Sequence, residues 1–381
     1  PSKNHELHGF EHPWFHSFGM ESQAEPRPDH DMTRMNILTA ALLLLAAGPG
    51  CGPRSGPPTA PGGVVPAMGT FASVTLAGAD AARLAEAETL TAGALQRVEE
   101  ACSLFKPESD LARLNAAAGA ETVALSSETE TVLRAAQRHG EWSAGAFDIT
   151  VGPLMRLWGF RGGGPPAEPD PTRLAAVLAD VGWRHVALSN GTARLLRPGT
   201  RADLGGIAKG YGVDRACEAL LSAGFSNALV NLGGNIRVLG APDPGRPWRV
   251  AVRHPFNPDK TVGALALEPG QAVATSGHYE QFVVIQGRRA AHIMDPRTGR
   301  PVEGMASVTV LARTAMDADA LSTAAFVLGL EAIPGLLERA GGLGALAVPD
   351  RQPLELWITP GLASRFTPNP DLKVCMKTLA P

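Results

Sequence analysis

The sequence predicts an α+β fold in which mixed and antiparallel sheets pack against helices. Three observations carry that expectation. Short segments with strand-like alternation come in long consecutive runs interrupted by helical stripes, whereas a doubly wound parallel sheet would alternate them one for one. Two hairpin signals, Asn190-Gly191 and Gln286-Gly287-Arg288, join neighbouring strands. The apolar share of 44% over 381 residues suits a packed chain, with Gly 43 and Pro 32 to supply turns. That length allows two ordinary domains or one large one. A net charge of −3 offers no basic surface for nucleic acid. The four cysteines, Cys51, Cys102, Cys217 and Cys375, show no metal-ligand spacing. One of them sits in a leader, which leaves an odd number and argues against a disulfide framework.

In chain order, residues 1–31 are rich in His and Pro without period and read as a non-native or disordered extension ahead of the apparent start. Residues 32–51 read as a signal peptide. Arg34 supplies the charge, and Ile37 to Ala47 is an apolar run too short for a bilayer but right for a leader core. Gly48-Pro49-Gly50-Cys51 is similar to a bacterial lipoprotein cleavage site. Residues 52–65 form a Gly/Pro-rich tether, 66–365 the folded domain and 366–381 a tail. Within the domain, Met68–Leu76 alternates as a strand, and residues 80–101 carry a helical stripe (Leu84, Ala87, Leu90, Ala94, Leu95, Val98). Ser127 and Glu130 form a capping box for the next helix. Asp170-Pro171 is an N-cap and first position of another. Strands follow at 228–231, 236–239, 248–252, 262–267, 272–275, 282–285, 289–293 and 307–312. Asp317 is expected to cap a helix that ends at Gly329, and strands near 345–348 and 354–358 close the core.

The stretch that organises the chemistry is Asp203-Leu-Gly-Gly-Ile-Ala-Lys209-Gly-Tyr, a glycine-rich turn that opens a helix of about three turns. Such a corner lets backbone approach a ligand and presents free N–H groups to an anion. It could hold a phosphate, a metal or both; the plain alternative is a tight turn with a solvated lysine. The nucleotide fingerprints GxGxxG after a strand and GxxxxGK[ST] are absent. Asp319 and Thr323, four apart on a helix, share one face and could offer a hard cation two oxygens; the plain alternative is a carboxylate favoured by the helix dipole. His292, beside a turn, is a candidate general base or simply a turn-ordering histidine. Phe105 and Asp148 could stack on and read a ring, or be a core aromatic and a loop cap. Cys217 reads as an inert buried thiol.

Taken together these pieces resemble the ApbE family, the FAD:protein FMN transferases. The resemblance is carried, in order, by Met68-Gly-Thr; Phe105 with Pro-Glu-Ser-Asp-Leu-Ala-Arg-Leu-Asn; Gly145-Ala-Phe-Asp-Ile-Thr-Val-Gly-Pro-Leu; the Asp203 corner; Asn231-Leu-Gly-Gly-Asn; Thr275-Ser-Gly; His292-Ile-Met-Asp-Pro-Arg-Thr-Gly; and Asp319-Ala-Leu-Ser-Thr-Ala. It implies an ApbE-like fold with an FAD site in a central cleft. The implied reaction is a Mg²⁺-dependent transfer of the FMN half of FAD to a Thr or Ser hydroxyl of an acceptor flavoprotein, a redox-complex subunit or an exported reductase, with release of AMP. By position, Met68, Phe105, Ala146, Phe147, Asp148, Asp203, Lys209 and Ile293 would line the FAD site. The Gly206 carbonyl, Asp319 and Thr323 would hold Mg²⁺, with Ser322 a further oxygen to weigh. His292, or Asp319 in its place, would take the acceptor proton. The resemblance also implies export to the periplasmic face of a bacterial inner membrane, lipid-anchored at Cys51. Two alternatives stand beside it: a Mg²⁺-dependent FAD pyrophosphatase, and an FAD-binding lipoprotein without turnover.

Overall fold

The computed structural model describes residues 59–380. The expected extension, signal peptide, Cys51 anchor and most of the tether lie outside the described residues. The chain enters through β1 (Thr59–Pro61), β2 (Val65–Ala67) and β3 (Thr70–Ala77). The tether expected at 52–65 therefore already contributes an edge strand, Thr59–Pro61, paired with β3. The long stripe becomes α1 (Ala81–Cys102), capped by Asp80, whose side chain accepts from the Arg83 N–H. Next come α2 (Asp110–Ala116), β4 (Val123–Ala124) and α3 (Ser127–Trp142). The cap of α3 is Ser126, one residue before the expected box. Glu130 instead holds Arg134 and the Gly191 N–H. The helices α4 (Gly152–Leu157) and α5 (Pro171–Leu178) follow, the latter capped by Asp170 as its sequence predicts. The strands β5 (Val186–Ser189) and β6 (Thr192–Leu195) turn at Asn190-Gly191 and join β4 in a small sheet.

The Asp203 corner opens α6 (Ala208–Ser222), longer than the three turns expected. Then run β7 (Ala228–Leu232), β8 (Asn235–Leu239), β9 (Trp248–Arg253), β10 (Thr261–Leu267), β11 (Ala272–Gly277), β12 (Phe282–Ile285), β13 (Arg288–Ala291), β14 (Met294–Asp295), β15 (Arg300–Pro301) and β16 (Met305–Ala312). The next helix is α7 (Ala315–Leu328). Its cap is Thr314, which accepts the Asp317 N–H at 3.0 Å, not Asp317 as expected. The chain closes with α8 (Ile333–Ala340), β17 (Gly344–Pro349), β18 (Glu355–Ile358), α9 (Pro360–Ala363), β19 (Phe366–Pro368) and β20 (Cys375–Thr378). The expected tail is thus structured: β19 pairs with β10, and β20 runs parallel to β18.

The main sheet has the order β1-β3-β7-β8-β11-β16-β17-β18-β20, with β2 also on β3, and all its pairs are antiparallel except the last. Alternation decides what covers each face. In β7, Ala228, Val230 and Leu232 turn to α1 and α6, while Leu229 turns to the sheet β19-β10-β9. In β17, Ala345 and Ala347 turn to the helices, while Leu346 and Val348 turn to that smaller sheet. The result is a mixed sheet between a helical layer and a second sheet, the α+β class expected. Cys102 and Cys217 are buried, and burial pushes both thiols up to about 12, so neither is reactive.

Two helices of that layer, α6 and α7, meet backbone to backbone. A methyl group on Gly210 would stand 2.2 Å from the Ala315 carbonyl oxygen, which only main chain could relieve by moving. Asp214, one turn further along α6, accepts the Ala315 and Met316 N–H groups at 2.8 and 2.9 Å and pairs with Arg237 of β8 at 2.8 Å. Gly210→Ala should therefore destabilise the fold by at least about 2 kcal/mol, seen as a lower urea midpoint; an unchanged midpoint would show that the two helices can part.

Candidate active site

The corner between α6 and α7 is built from a few polar groups. The Asp203 main chain is fixed by its N–H to the Ile149 carbonyl at 2.6 Å. Its carboxylate accepts the Gly205 N–H at 2.8 Å and faces the Arg161 guanidinium at 3.4 Å. In the first turn of α6, the Lys209 ammonium donates to the Gly205 carbonyl and lies 3.6 Å from the Asp319 carboxylate. The other Asp319 oxygen accepts the Gly210 N–H at 3.0 Å. Asp319 is only 4% exposed. Burial raises its carboxyl above the usual range, while Lys209 and the Gly210 N–H pull the other way.

Thr323 follows one turn along α7. Its hydroxyl lies 3.2 Å from the Asp319 carbonyl and 3.2 Å from the Ser276 hydroxyl. A methyl group on Gly206 would sit 3.3 Å from the Thr323 Oγ1, so that backbone runs directly beside the threonine. The three residues expected to hold a cation, Gly206, Asp319 and Thr323, are thus brought together. Ser322, fully buried, spends its hydroxyl on Ser276 at 2.9 Å and on the Asp319 carbonyl at 2.9 Å. Among the described residues no group of three or more His, Cys, Asp or Glu side chains could hold a metal. The candidate set relies on one carboxylate, a hydroxyl and main chain.

His292 lies within the electrostatic reach of Lys209, Arg161 and Asp203. Its Nδ1 is 3.0 Å from the Gln281 carbonyl, which can only accept, so Nδ1 carries the proton and Nε2 keeps its lone pair. Burial above all pushes the imidazole down to about 4; the Gln281 carbonyl opposes it, the Lys209 ammonium and Arg161 guanidinium add to it, and Asp203 opposes least. The ring is uncharged near neutral pH.

The residues expected to line a flavin site divide into three groups. Phe105 is 74% exposed, which removes the core-aromatic reading, and its ring stands 6.0 Å from the Arg161 guanidinium. Met68 is half-buried with φ +49, and its sulfur lies over α6, 3.0 Å from where a Gly212 methyl would be. Ala146, Phe147 and Ile293 are buried, with the Phe147 ring against Gly206. Asp148 takes the loop-cap reading. One carboxylate oxygen accepts the Thr150 N–H and hydroxyl at 2.7 and 2.6 Å, and the other accepts the Trp183 N–H at 2.6 Å. Its capacity goes to its own loop and to the segment that begins at Trp183. Sequence reasoning missed Arg161 and Ser276. Arg161 sits in a glycine-rich loop where no spacing ties it to Asp203, although Ser276 lay within the Thr275-Ser-Gly piece.

An α+β fold that sets an ammonium, a buried carboxylate, hydroxyls and an uncharged imidazole at one helix-start corner defines an enzyme of the group-transfer class. Comparison with known proteins agrees. The profile of the ApbE family matches residues 68–347. The FAD:protein FMN transferase of Vibrio cholerae is 41% identical over 243 residues, 62% of this chain and 72% of that protein. Its Escherichia coli counterpart is 31% identical over 343 residues, 87% of this chain and 97% of that protein. Among solved structures, the flavin transferase ApbE from Vibrio cholerae aligns with a TM-score of 0.69 at 33% identity, covering 81% of this chain and 100% of that one. The ApbE protein of Thermotoga maritima aligns at 0.69 and 33%, covering 75% and 93%. The chain belongs to the ApbE family.

The His292 geometry has a direct test. The folded protein resists protonating this ring, whereas the unfolded chain takes the proton near 6.5, so stability falls as pH drops from there toward about 4. In an NMR titration His292 should change charge near pH 4; a midpoint near the ordinary histidine value would refute the burial.

Proposed function

We propose that this chain is an FAD:protein FMN transferase. The observation that carries the reading is the convergence of Lys209, Asp319, Thr323 and Gly206, with a neutral His292 within reach of the Lys209 charge, in a chain whose curated relatives bear that name. In the reaction the acceptor hydroxyl oxygen bonds to the FMN-side phosphorus of FAD. The bond from that phosphorus to the bridging oxygen breaks, and AMP leaves with the electron pair. Nε2 of His292, unprotonated and held by the Gln281 carbonyl on its far side, receives the hydroxyl proton. Lys209 and Arg161 neutralise the pyrophosphate as charge grows on its oxygens. The exposed Phe105 ring and the Met68 thioether pack on the flat rings of FAD.

The donor set fits a hard cation. Asp319, Thr323 and the Gly206 carbonyl are oxygen donors, and Mg²⁺ takes a few such ligands and completes its shell with water and substrate phosphates. Bound there, Mg²⁺ would neutralise charge on the pyrophosphate oxygens. The acceptor is a flavoprotein with a Thr or Ser hydroxyl, a redox-complex subunit or an exported reductase. The placement at the periplasmic face through a signal peptide and Cys51 belongs to the same reading. Among the described residues no helix is long and apolar enough to cross a membrane.

Following AMP release from FAD with and without acceptor separates transfer from hydrolysis: release only with acceptor supports transfer, and equal release makes the protein a pyrophosphatase. Asp319→Ala should lose metal-dependent flavin transfer by about 100-fold or more. Transfer at the wild-type rate would remove Asp319 from the metal set. Lys209→Ala should raise the FAD dissociation constant by about tenfold, the loss of one charge-assisted contact; an unchanged constant would end its phosphate role.

A further inference from the structure

We propose that the β12–β13 ribbon is the docking site of the acceptor, and that it takes an extended, acidic, β-branched segment flanking the reactive hydroxyl; the proposal rests on the transferase reading. The ribbon is a two-stranded sheet, and among the described residues neither strand pairs with a third. Each therefore offers a free row of N–H and C=O groups, the surface that an added strand uses. One face of the ribbon is anchored, since Ile285 packs on the apolar cluster around Leu154 and Trp158. The other face is open. Phe282 is 41% and Val284 57% exposed, and the Arg289 guanidinium lies 4.6 Å over the Phe282 ring. Residues 281–291 contain two arginines, both exposed, and no carboxylate, so the charge they complement is negative.

What ties this surface to the chemistry is its root. The Gln281 carbonyl, immediately before β12, accepts both the His292 N–H at 3.1 Å and its Nδ1 at 3.0 Å. The Gln281 side chain lies 3.5 Å from Arg161. A segment laid along the ribbon is therefore delivered, within a few residues at about 3.4 Å each, to the imidazole that takes its proton. The ribbon would fix where along the acceptor chain the reactive hydroxyl falls.

The test uses the full chain with FAD and Mg²⁺ and two short fluorescein-labelled peptides. Each has one central threonine among alternating valines; the first carries glutamates and the second lysines in their place. Fluorescence anisotropy should show the glutamate peptide binding at least about tenfold more tightly than the lysine peptide. Phe282→Ser with Val284→Ser, and separately Arg289→Glu, should weaken that binding by a similar factor and raise KM for the peptide, with FAD affinity unchanged. Equal binding of the two peptides, or wild-type binding by both variants, would overturn the proposal. So would sedimentation showing that the variants change only self-association, which would make the ribbon a face between copies of this chain. Peptide binding without FMN transfer would instead sink the transferase reading and leave the docking surface standing. FMN transfer with the same KM in every variant would do the reverse.

Discussion

One buried carboxylate governs the arrangement of the site. Asp319 sits on α7, reaches the first turn of α6, and takes there both a backbone N–H and the approach of an ammonium. A carboxylate so far out of water must be paired or lose its charge. Here the pairing is supplied by the chain segment that also carries Gly206 and the Asp203 turn. The backbone beside Thr323 is close because α6 and α7 touch without side chains at Gly210. The glycines of this stretch therefore have different work. One permits the helices to meet, and another lets the chain pass beside the Thr323 hydroxyl. The Gly210 N–H, one of the free groups of the helix start, is already used by Asp319. An anion at this corner would consequently meet the charges of Lys209 and Arg161 more than the helix dipole.

Much of this was legible in the sequence. The α+β class followed from runs of alternating segments, and Asn190-Gly191 turned where its residue types require. What escaped was short or defined by a neighbour. Thr59–Pro61, Phe366–Pro368 and Cys375–Thr378 have little pattern of their own and become strands only because β3, β10 and β18 have edges to offer. The caps of α3 and α7 differ from expectation because nearby cap-forming side chains compete, Ser126 with Ser127 and Thr314 with Asp317, and backbone geometry chooses between them. In the site, Gly206, Lys209, Asp319 and Thr323 could be named from ordered motifs, and they do converge. Arg161 could not, because its partners Asp203, Gln281 and Phe105 come from three separate segments. Asp148 shows the opposite case: a carboxylate within a motif whose bonds go to its own loop at Thr150 and to the distant Trp183 N–H, which ties two segments together.

The charge state of His292 is likewise a property of the assembly. A histidine beside a turn has an ordinary affinity for protons as a sequence feature. Enclosed near Lys209 and Arg161, it becomes a ring that stays neutral, with one nitrogen fixed by a carbonyl and the other available. The enclosure makes it a weak base with one tautomer already selected. The same carbonyl stands immediately before β12, so the orientation of the imidazole and the root of the ribbon share one hydrogen-bond acceptor.

The helices α6 and α7 cap each other. Asp319 of α7 receives an N–H from the first turn of α6, and Asp214 of α6 receives two from the first turn of α7. Neither helix can fray at its start without stranding a buried charge on its neighbour. The amides of this pair should consequently exchange with solvent only through global unfolding, as one cooperative unit with β8 through Arg237. Among the described residues the other wall, the glycine-rich segment around Arg161 and the root of the ribbon, has no such mutual capping and is tied to the corner through Asp203 and Gln281.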